Sequence, residues 1–226
     1  NQKELSPFRF SLPGHLPFLN PDGGAWERWL LKNKQGKRLG VMQLSVHRVT
    51  SMNDPMFDAF RELYYAAFPE YQRRSRHDKA ATFRQPHYRL DAWLADDEFA
   101  AFMSWWDFPD MRYVEHLAVS PDKRSLGLGQ KILTAWLPTA DTPAVLEIDP
   151  VVDELTRRRL AFYQRVGFVE NNIKHTVPSL IERSVMTPGE LLTWPRPFSR
   201  AEYERFEDHL DKTAFACIGH RPQIDE

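Results

Sequence analysis

Cysteine is nearly absent from this sequence, with Cys217 as its only copy among 226 residues. A single cysteine excludes an intrachain disulfide framework and any zinc cluster built from cysteines. Because disulfides mark oxidising compartments, we expect a reducing, cytoplasmic setting. Long apolar runs are missing as well, since no window approaches the roughly 18 uninterrupted apolar residues that a membrane-spanning helix needs. We therefore expect no membrane partner.

An excess of charge of either sign is absent too, because 30 basic and 31 acidic side chains leave a formal net charge of −1. A balanced total excludes the general attraction to nucleic acid that a strongly basic chain has. One local basic stretch could touch nucleic acid, but we interpret it as a solvated loop. It consists of Arg73, Arg74, Arg76, His77 and Lys79. The eight histidines show no paired metal-ligand spacing, which predicts no metal site.

What the sequence does contain is the composition of a globular protein, with 42% hydrophobic residues, 15 Phe and 7 Trp. Residues 1–40 differ from the rest, because prolines punctuate an aromatic-bearing stretch, and we predict an N-terminal extension there. Its later part, 26–31, is predicted to form a hairpin with 39–49 across a loop at 33–37. The main domain is predicted to span 41–216 and to be followed by a tail at 217–226.

The order of predicted elements changes near the middle of the chain. A helix is expected up to Ala67, with Asp54 as its N-cap and Pro55 at its first position. Three strands are predicted next, at 88–95, 99–106 and 113–120. Helices and strands then alternate, at 128–137, 145–148, 153–166 and from Phe168. The last elements are an extended run at 183–194 and a helix from Ser199, where Glu202 completes a capping box. This succession indicates a mixed α/β (α+β) fold.

A glycine-containing loop joins the strand at 113–120 to the helix that follows it. Glycines at 127 and 129 let successive backbone N–H groups turn toward one centre, and the helix dipole adds partial positive charge. Such a loop can hold a pyrophosphate. A tight strand-to-helix turn also needs glycine for purely steric reasons, so the glycines alone are weak evidence.

Five segments around this loop form a recognisable set of motifs. These are Arg124-x-x-Gly127-x-Gly129, the preceding Leu117-Ala118-Val119-Ser120-Pro121, the later Phe162-Tyr163-Gln164-Arg165-Val166-Gly167-Phe168, the turn Phe68-Pro69-Glu70-Tyr71-Gln72-Arg73-Arg74, and the strand Val145-Leu146-Glu147-Ile148-Asp149. Together they resemble the GNAT superfamily of acyl-CoA N-acyltransferases over about residues 42–195. Gln72 departs from the pattern, because this turn often has a glutamate there.

The resemblance implies a GNAT fold with acetyl-CoA as cosubstrate. It predicts a mixed sheet of about seven strands, antiparallel apart from a splayed central pair, with helices on both faces. The pantetheine arm would pair with the exposed strand edge at Leu117, Ala118 and Val119, and a backbone N–H near Leu117 would stabilise the oxyanion. The pyrophosphate would be held by the loop residues Arg124, Ser125, Leu126, Gly127, Leu128, Gly129 and Gln130.

An attacking amine must lose a proton, which calls for a general base. We predict Glu115 for this role, because strand alternation puts it on the face of Leu117, and members with an acidic residue here use it. By the same alternation His116 is predicted to point to the opposite face. Tyr163 resembles the family's acid, which protonates the leaving thiolate. Alternatively, Glu115 is a strand glutamate paired with a nearby arginine. The alternative for Tyr163 is a core tyrosine on an amphipathic helix.

The function that follows is transfer of an acetyl group to a primary amine by direct attack in a ternary complex. Glu147 and Asp149 are secondary candidates for binding the amine, and acidic residues suit a cationic small molecule or peptide amine. The alternative is a non-catalytic CoA-binding or protein/RNA-interaction module on the same fold. A monomer or a homodimer is expected.

Overall fold

The computed structural model describes residues 15–19, 25–32, 38–182, 184–216 and 218, with side chains from Met42 onward apart from Ser125. Ten strands form in this part of the chain. They are β1 His15–Leu19, β2 Ala25–Lys32, β3 Arg38–Val49, β4 Tyr88–Ala95, β5 Glu98–Asp107, β6 Arg112–Val119, β7 Ala144–Ile148, β8 Val169–Glu170, β9 His175–Pro178 and β10 Met186–Trp194. The helices are α1 Phe57–Ala67, α2 Arg76–Thr82, α3 Leu128–Trp136, α4 Glu154–Val166 and α5 Arg200–His209. No helix of the described residues is long and apolar enough to cross a membrane.

The strands form one mixed sheet in the order β1-β2-β3-β4-β5-β6-β7-β10-β8, with β9 paired to β10. Neighbouring strands are antiparallel except β6 and β7, which run parallel. The predicted mixed sheet with a parallel central pair is therefore confirmed. It has ten strands rather than about seven, because β2 of the predicted hairpin extension joins it and because β1 and β9 were not predicted. The pairing of β2 with β3 confirms the hairpin, whose loop at 33–37 lies outside the described residues.

The two faces of the sheet carry separate hydrophobic cores. The first core receives apolar side chains from α1 and α5, among them Phe60, Tyr64 and Phe206. The second core receives Ile132 and Leu133 from α3, and side chains of α4 pack against it. The prediction of helices on both faces is confirmed. A ligand that passes through the sheet would therefore meet different helices on its two sides.

The start of α1 differs from the sequence prediction. The helix begins at Phe57 with Met56 as its N-cap, so Asp54 is not the capping residue. The carboxylate of Asp54 instead accepts a hydrogen bond from the Met56 backbone N–H at 2.9 Å and contacts His47 Nε2 at 2.9 Å. The Asp-Pro pair thus forms a turn that precedes the helix.

The prediction that the basic stretch after α1 is a solvated loop was wrong for Arg74 and Lys79, whereas Arg76 and His77 are exposed at the start of α2. Ser75 caps α2 by accepting a hydrogen bond from the Asp78 backbone N–H at 3.1 Å, and Arg74 and Lys79 are only 2% and 4% exposed. The ammonium of Lys79 lies 4.9 Å from the ring centroid of Tyr64 and 3.1 Å from the hydroxyl of Tyr88. Burial lowers the pKa of Lys79 to about 7, although the nearby Glu115 favours the charged form.

Arg112, the first residue of β6, fixes the C-terminal end of α3. Its guanidinium donates to the carbonyl oxygens of Trp136 at 3.1 Å and Leu137 at 2.7 Å, and it lies 4.1 Å from the Trp136 ring centroid. The last carbonyl oxygens of a helix have no hydrogen-bond donor within the helix, so Arg112 supplies one. Its positive charge also interacts favourably with the negative end of the helix dipole. The direction of α3 is therefore tied to the sheet.

Replacing Lys79 with methionine should stabilise the protein. The folded pKa of about 7 lies below the ordinary value of 10.5, so the unfolded chain binds a proton more tightly than the folded chain between these values. Stability therefore falls as the pH drops from about 10.5 to about 7. We expect Lys79→Met to raise the free energy of unfolding by about 4 kcal/mol at pH 7 and to lose most of this advantage near pH 10. Urea unfolding at both pH values measures it, with the exposed Lys212→Met as control. Equal effects at both pH values would contradict it.

Candidate active site

A cleft of about 890 Å³ opens where β6 and β7 separate. The two strands pair only from Arg112 to Val114 and from Ala144 to Leu146. Within the described part of the chain, no strand pairs with this edge of β6 beyond Val114. Backbone N–H and C=O groups must find partners, so the free edge can receive an extended ligand as an added strand.

The N-terminus of α3 forms one wall of the cleft. Gly127 has φ +68° and ψ 24°, a left-handed conformation that glycine adopts without strain, and α3 begins at Leu128. Because Gly127 has no side chain to cap the helix, the first backbone N–H groups of α3 are available to an anion. At Gly129 an added Cβ would lie 3.2 Å from the Phe162 ring, so this glycine allows α3 and α4 to pack closely.

Most of the predicted cofactor residues line this one cleft. They are Leu117, Ala118, Val119, Arg124, Gly127, Leu128, Gly129 and Gln130. Leu126 instead packs against the second core, and the side chain of Ser125 lies outside the described residues.

Tyr163 of α4 lines the same cleft. Its ring lies 4.9 Å from that of Phe162 and 5.8 Å from that of Phe168, measured between centroids. Burial raises the pKa of Tyr163 to about 12, against the opposing effect of Arg159. The hydroxyl therefore keeps its proton throughout the physiological pH range, as a proton donor must.

The prediction that Glu115 shares a strand face with Leu117 was wrong. Ser104 pairs with His116 while Trp105 pairs with Val114, so Glu115 is the extra residue of a β-bulge. The bulge interrupts the alternation, and Glu115 and His116 lie on one face, with 3.4 Å between Glu115 Oε2 and His116 Nδ1. The prediction that His116 points away from Glu115 fails for the same reason.

Glu115 forms a buried ion pair with Arg74. Their side chains are 2% and 0% exposed, and Arg74 Nε donates to Glu115 Oε2 at 3.3 Å, while Nη2 contacts Oε1. Trp106 Nε1 donates to the same Oε1 at 3.3 Å. Burial alone would raise the pKa of Glu115, but Arg74 and then His116 hold the pKa of this carboxyl well below its usual range. A carboxylate held in this way is a weak proton acceptor.

His116 joins β6 to the turn after α1. Its Nε2–H donates to the carbonyl oxygen of Gln72 at 2.7 Å, and its Nδ1 lies 3.2 Å from the hydroxyl of Ser104. Burial lowers the pKa of His116 below its usual value, although Glu115 opposes the shift. The side-chain amide of Gln72 in turn donates to Asp149 Oδ1 at 3.1 Å. The turn therefore contacts β6 and the residue that follows β7, on both sides of the cleft.

Glu147 belongs to a hydrogen-bond network that sequence reasoning missed. Its Oε1 lies 2.5 Å from His175 Nε2, and its Oε2 accepts a hydrogen bond from the Tyr113 hydroxyl at 2.7 Å. His175 Nδ1 lies 3.0 Å from the hydroxyl of Tyr203 on α5. Both partners of His175 are 28 residues away in sequence, so no local pattern could have indicated this cluster. Asp149, the other secondary candidate, contacts Arg159 as well as Gln72.

The fold and the cleft are those of a mixed α/β protein in which a parallel strand pair separates beside an open helix N-terminus. A family model described as the acetyltransferase (GNAT) family matches residues 53–168. The chain belongs to this family.

Two relatives agree with this assignment. YjbC of Bacillus subtilis (strain 168), provisionally named an acetyltransferase, is 32% identical over 143 residues, which are 62% of this chain and 71% of that protein. A solved structure from Bacteroides thetaiotaomicron, provisionally described as a GNAT-family acetyltransferase, superposes with a TM-score of 0.69 at 26% identity, covering 75% of this chain and 97% of its own.

Replacing Glu115 with glutamine should destabilise the protein in a pH-dependent way. Because the folded pKa lies below the ordinary value of 4.5, the ion pair stabilises fully above about pH 5, and this contribution is lost as the pH falls through the folded pKa. Breaking a buried pair leaves Arg74 uncompensated, so we expect a loss of about 3 kcal/mol at pH 7.

Urea unfolding between pH 7 and pH 3 measures this effect. The difference between the wild type and Glu115→Gln should narrow toward low pH. The exposed Glu98, which pairs with Lys123 at 2.7 Å, supplies the matched control Glu98→Gln, which should change stability little. A constant difference across the pH range would show that the pair does not contribute as an ion pair.

Proposed function

We propose that this protein transfers an acetyl group from acetyl-CoA to a primary amine by direct attack in a ternary complex. One observation carries the proposal. A single cleft combines the free edge of β6, the open N-terminus of α3 and Tyr163. These three features match what an acyl-CoA thioester needs, namely a strand edge for the pantetheine amides, N–H groups for the pyrophosphate and a proton donor for the thiolate.

Acetyl-CoA would enter from the face of the sheet that carries α3 and α4. Its pyrophosphate would accept hydrogen bonds from the N–H groups at residues 124–130, and the exposed side chain of Arg124 would add charge. The pantetheine arm would follow Leu117 to Val119 along β6. The thioester would then lie in the gap between β6 and β7, and a backbone N–H near Leu117 would stabilise the oxyanion.

The acceptor amine would approach from the opposite face. That side of the cleft is lined by apolar groups, including Phe68, Val177 and Leu180, and by the carboxylates of Glu147 and Asp149. This combination suits a cationic primary amine on an apolar or flexible stem. After deprotonation the amine attacks the thioester carbon, the C–S bond breaks with its electron pair on sulfur, and the Tyr163 hydroxyl donates a proton to that sulfur. The nitrogen loses a second proton as the amide forms, and an equivalent proton restores the Tyr163 hydroxyl.

Acetyl-CoA should raise the melting temperature, because a ligand that binds only the folded state stabilises that state by mass action. At 100 times the dissociation constant, the expected stabilisation is about 2.7 kcal/mol. Thermal unfolding with acetyl-CoA, CoA and adenosine measures it. No shift at millimolar acetyl-CoA would contradict the proposal.

Thiol release distinguishes an enzyme from a non-catalytic CoA-binding module. We expect release of CoA from acetyl-CoA when spermidine, phenethylamine and a short peptide with a free N-terminus are offered as a panel. If the protein binds acetyl-CoA but releases no thiol with any amine of a broad panel, the non-catalytic CoA-binding module is favoured over the enzyme.

Replacing Tyr163 with phenylalanine should slow turnover by about 10²-fold, the size typical of a lost proton donor. The slowing should hold at every pH below the pKa of about 12, while the dissociation constant of acetyl-CoA stays within a few-fold because the ring still packs. Steady-state kinetics and calorimetry measure the two effects. Tyr65→Phe, at an exposed tyrosine of α1, is the control. Full activity of Tyr163→Phe would remove Tyr163 from the mechanism.

A further inference from the structure

Residues that follow α5 form part of the cleft wall. The helix continues into a π-helical turn, Leu210–Ala214, and Phe215 follows this turn and lines the cleft. The side chain of Phe215 belongs to the first core, so it lies on the side from which the amine would approach. The family model matches residues 53–168. Phe215 is therefore not a position that the family model describes.

Several backbone contacts hold Phe215 in place. Its N–H donates to the carbonyl oxygen of Leu210 at 2.8 Å, and its own carbonyl oxygen accepts from the Ile218 N–H at 3.1 Å. Arg74 Nη2 donates to the carbonyl oxygen of Ala214 at 2.8 Å, which joins this segment to the buried ion pair beside β6. π-helical turns occur frequently at functional sites. Phe215 is 2% exposed and is thus a fixed part of the wall.

Other apolar groups share the cleft with Phe215. Phe68 and Leu180 pack in or against the first core, and Val177 and Pro188 line the same cleft. Apolar carbon that moves from water into such surroundings gains free energy. An aromatic ring on the substrate would add edge or offset contacts with Phe68 and Phe215. The cleft therefore favours an acceptor whose stem is apolar.

Polar side chains of this region already have partners within the protein. The ring of His116 bonds the carbonyl oxygen of Gln72 at 2.7 Å, and the side-chain amide of Gln72 donates to Asp149 at 3.1 Å. The hydroxyl of Thr187 donates to the carbonyl oxygen of Val177 at 3.2 Å. Amides or hydroxyls on the acceptor stem would lose hydrogen bonds to water here and find few replacements, which costs free energy.

The carboxylates of the cleft limit how many positive charges an acceptor can carry. Glu115 is paired with Arg74, and Asp149 contacts Arg159. Glu147 has no arginine or lysine partner among the described residues. A buried charge without a partner is costly. One ammonium can thus be compensated at Glu147, whereas a second one would lie among apolar groups.

The hydrogen bonds of Glu147 leave its negative charge available to this ammonium. The Tyr113 hydroxyl donates to one oxygen at 2.7 Å, and His175 Nε2 lies 2.5 Å from the other. A neutral imidazole is sufficient for the second bond, because its Nε2–H donates. A carboxylate has about four lone-pair positions, and these bonds use one on each oxygen. An ammonium N–H can therefore bond the carboxylate while both existing bonds persist.

We propose that the acceptor is a small monoamine on an apolar stem of aromatic size, that its ammonium binds Glu147 and that Phe215 forms the wall that selects the stem. The proposal rests on the amine acetyltransferase function proposed above and narrows its substrate class. Polyamines and peptides are then poor acceptors. Phe215 is a specificity-determining residue, and its role does not depend on which group removes the proton of the amine.

The first test compares amines that differ only in charge. Butylamine and putrescine have the same four-carbon stem, and putrescine carries one more ammonium. We measure thiol release from acetyl-CoA by the full chain and expect kcat/KM to be about tenfold or more higher for butylamine. Phenethylamine should exceed both. An equal or higher kcat/KM for putrescine, spermidine or a short peptide would overturn the proposal.

The second test changes the wall itself. Phe215→Leu removes the ring and keeps an apolar side chain, so the kcat/KM for phenethylamine divided by that for ethylamine should fall about tenfold. This ratio does not depend on the fraction of protein that is folded. Phe206→Leu is the matched control, because Phe206 is also buried in the first core but does not line the cleft. It should leave the ratio unchanged.

Each outcome decides the proposal. An unchanged ratio in Phe215→Leu, or an equal fall in Phe206→Leu, would overturn the role of Phe215. If Phe215→Leu fails to fold, Phe68→Leu supplies the same comparison, because Phe68 lines the same cleft beside His116, with 4.5 Å between the ring centroids. Thiol release with putrescine preferred over butylamine would reject this inference and retain the transferase. Absence of thiol release with every amine would instead reject the transferase function, and this inference with it.

Discussion

The buried ion pair between Arg74 and Glu115 is the contact on which the geometry of the cleft depends. It joins the turn after α1 to the β-bulge of β6, immediately beyond the last residue that pairs with β7. Burying two charged groups away from water costs free energy unless the two form a hydrogen-bonded ion pair with each other. The bulge puts Glu115 on the side where Arg74 lies, and Gln72 of the same turn contacts His116 of β6 and Asp149, the residue after β7. The gap in the sheet is thus held by specific contacts.

The same gap divides the chemistry between two faces. On one side, the open N-terminus of α3 provides N–H groups for an anion, and Arg112 fixes the other end of that helix to the sheet. On the other side, Glu147 and its hydrogen-bond partners form a polar network within the first core. Oriented groups of this kind need little reorganisation during a reaction. The separation also keeps the open end of α3 apart from this polar network.

Charges in the interior make the region behind the cleft costly to fold. Lys79 lies among the rings of Tyr64 and Tyr88 with a lowered pKa, close to the pair of Arg74 and Glu115. Burial of an ammonium without a carboxylate in direct contact opposes folding. Such local costs are tolerated when the rest of the fold outweighs them, and they concentrate near functional sites.

By itself the sequence determined the elements and the class of the protein. Hydrophobic periodicity and capping residues predicted most helices and strands, and the glycine loop with Tyr163 indicated the family, because these signals depend on residues close together in the chain. Only the tertiary structure decided which carboxylate faces which partner. The bulge at Glu115 reverses the expected alternation, and the Glu147, His175 and Tyr203 network joins residues far apart in sequence. Strand register and long-range hydrogen bonds arise from packing across the whole sheet, so local sequence spacing does not encode them.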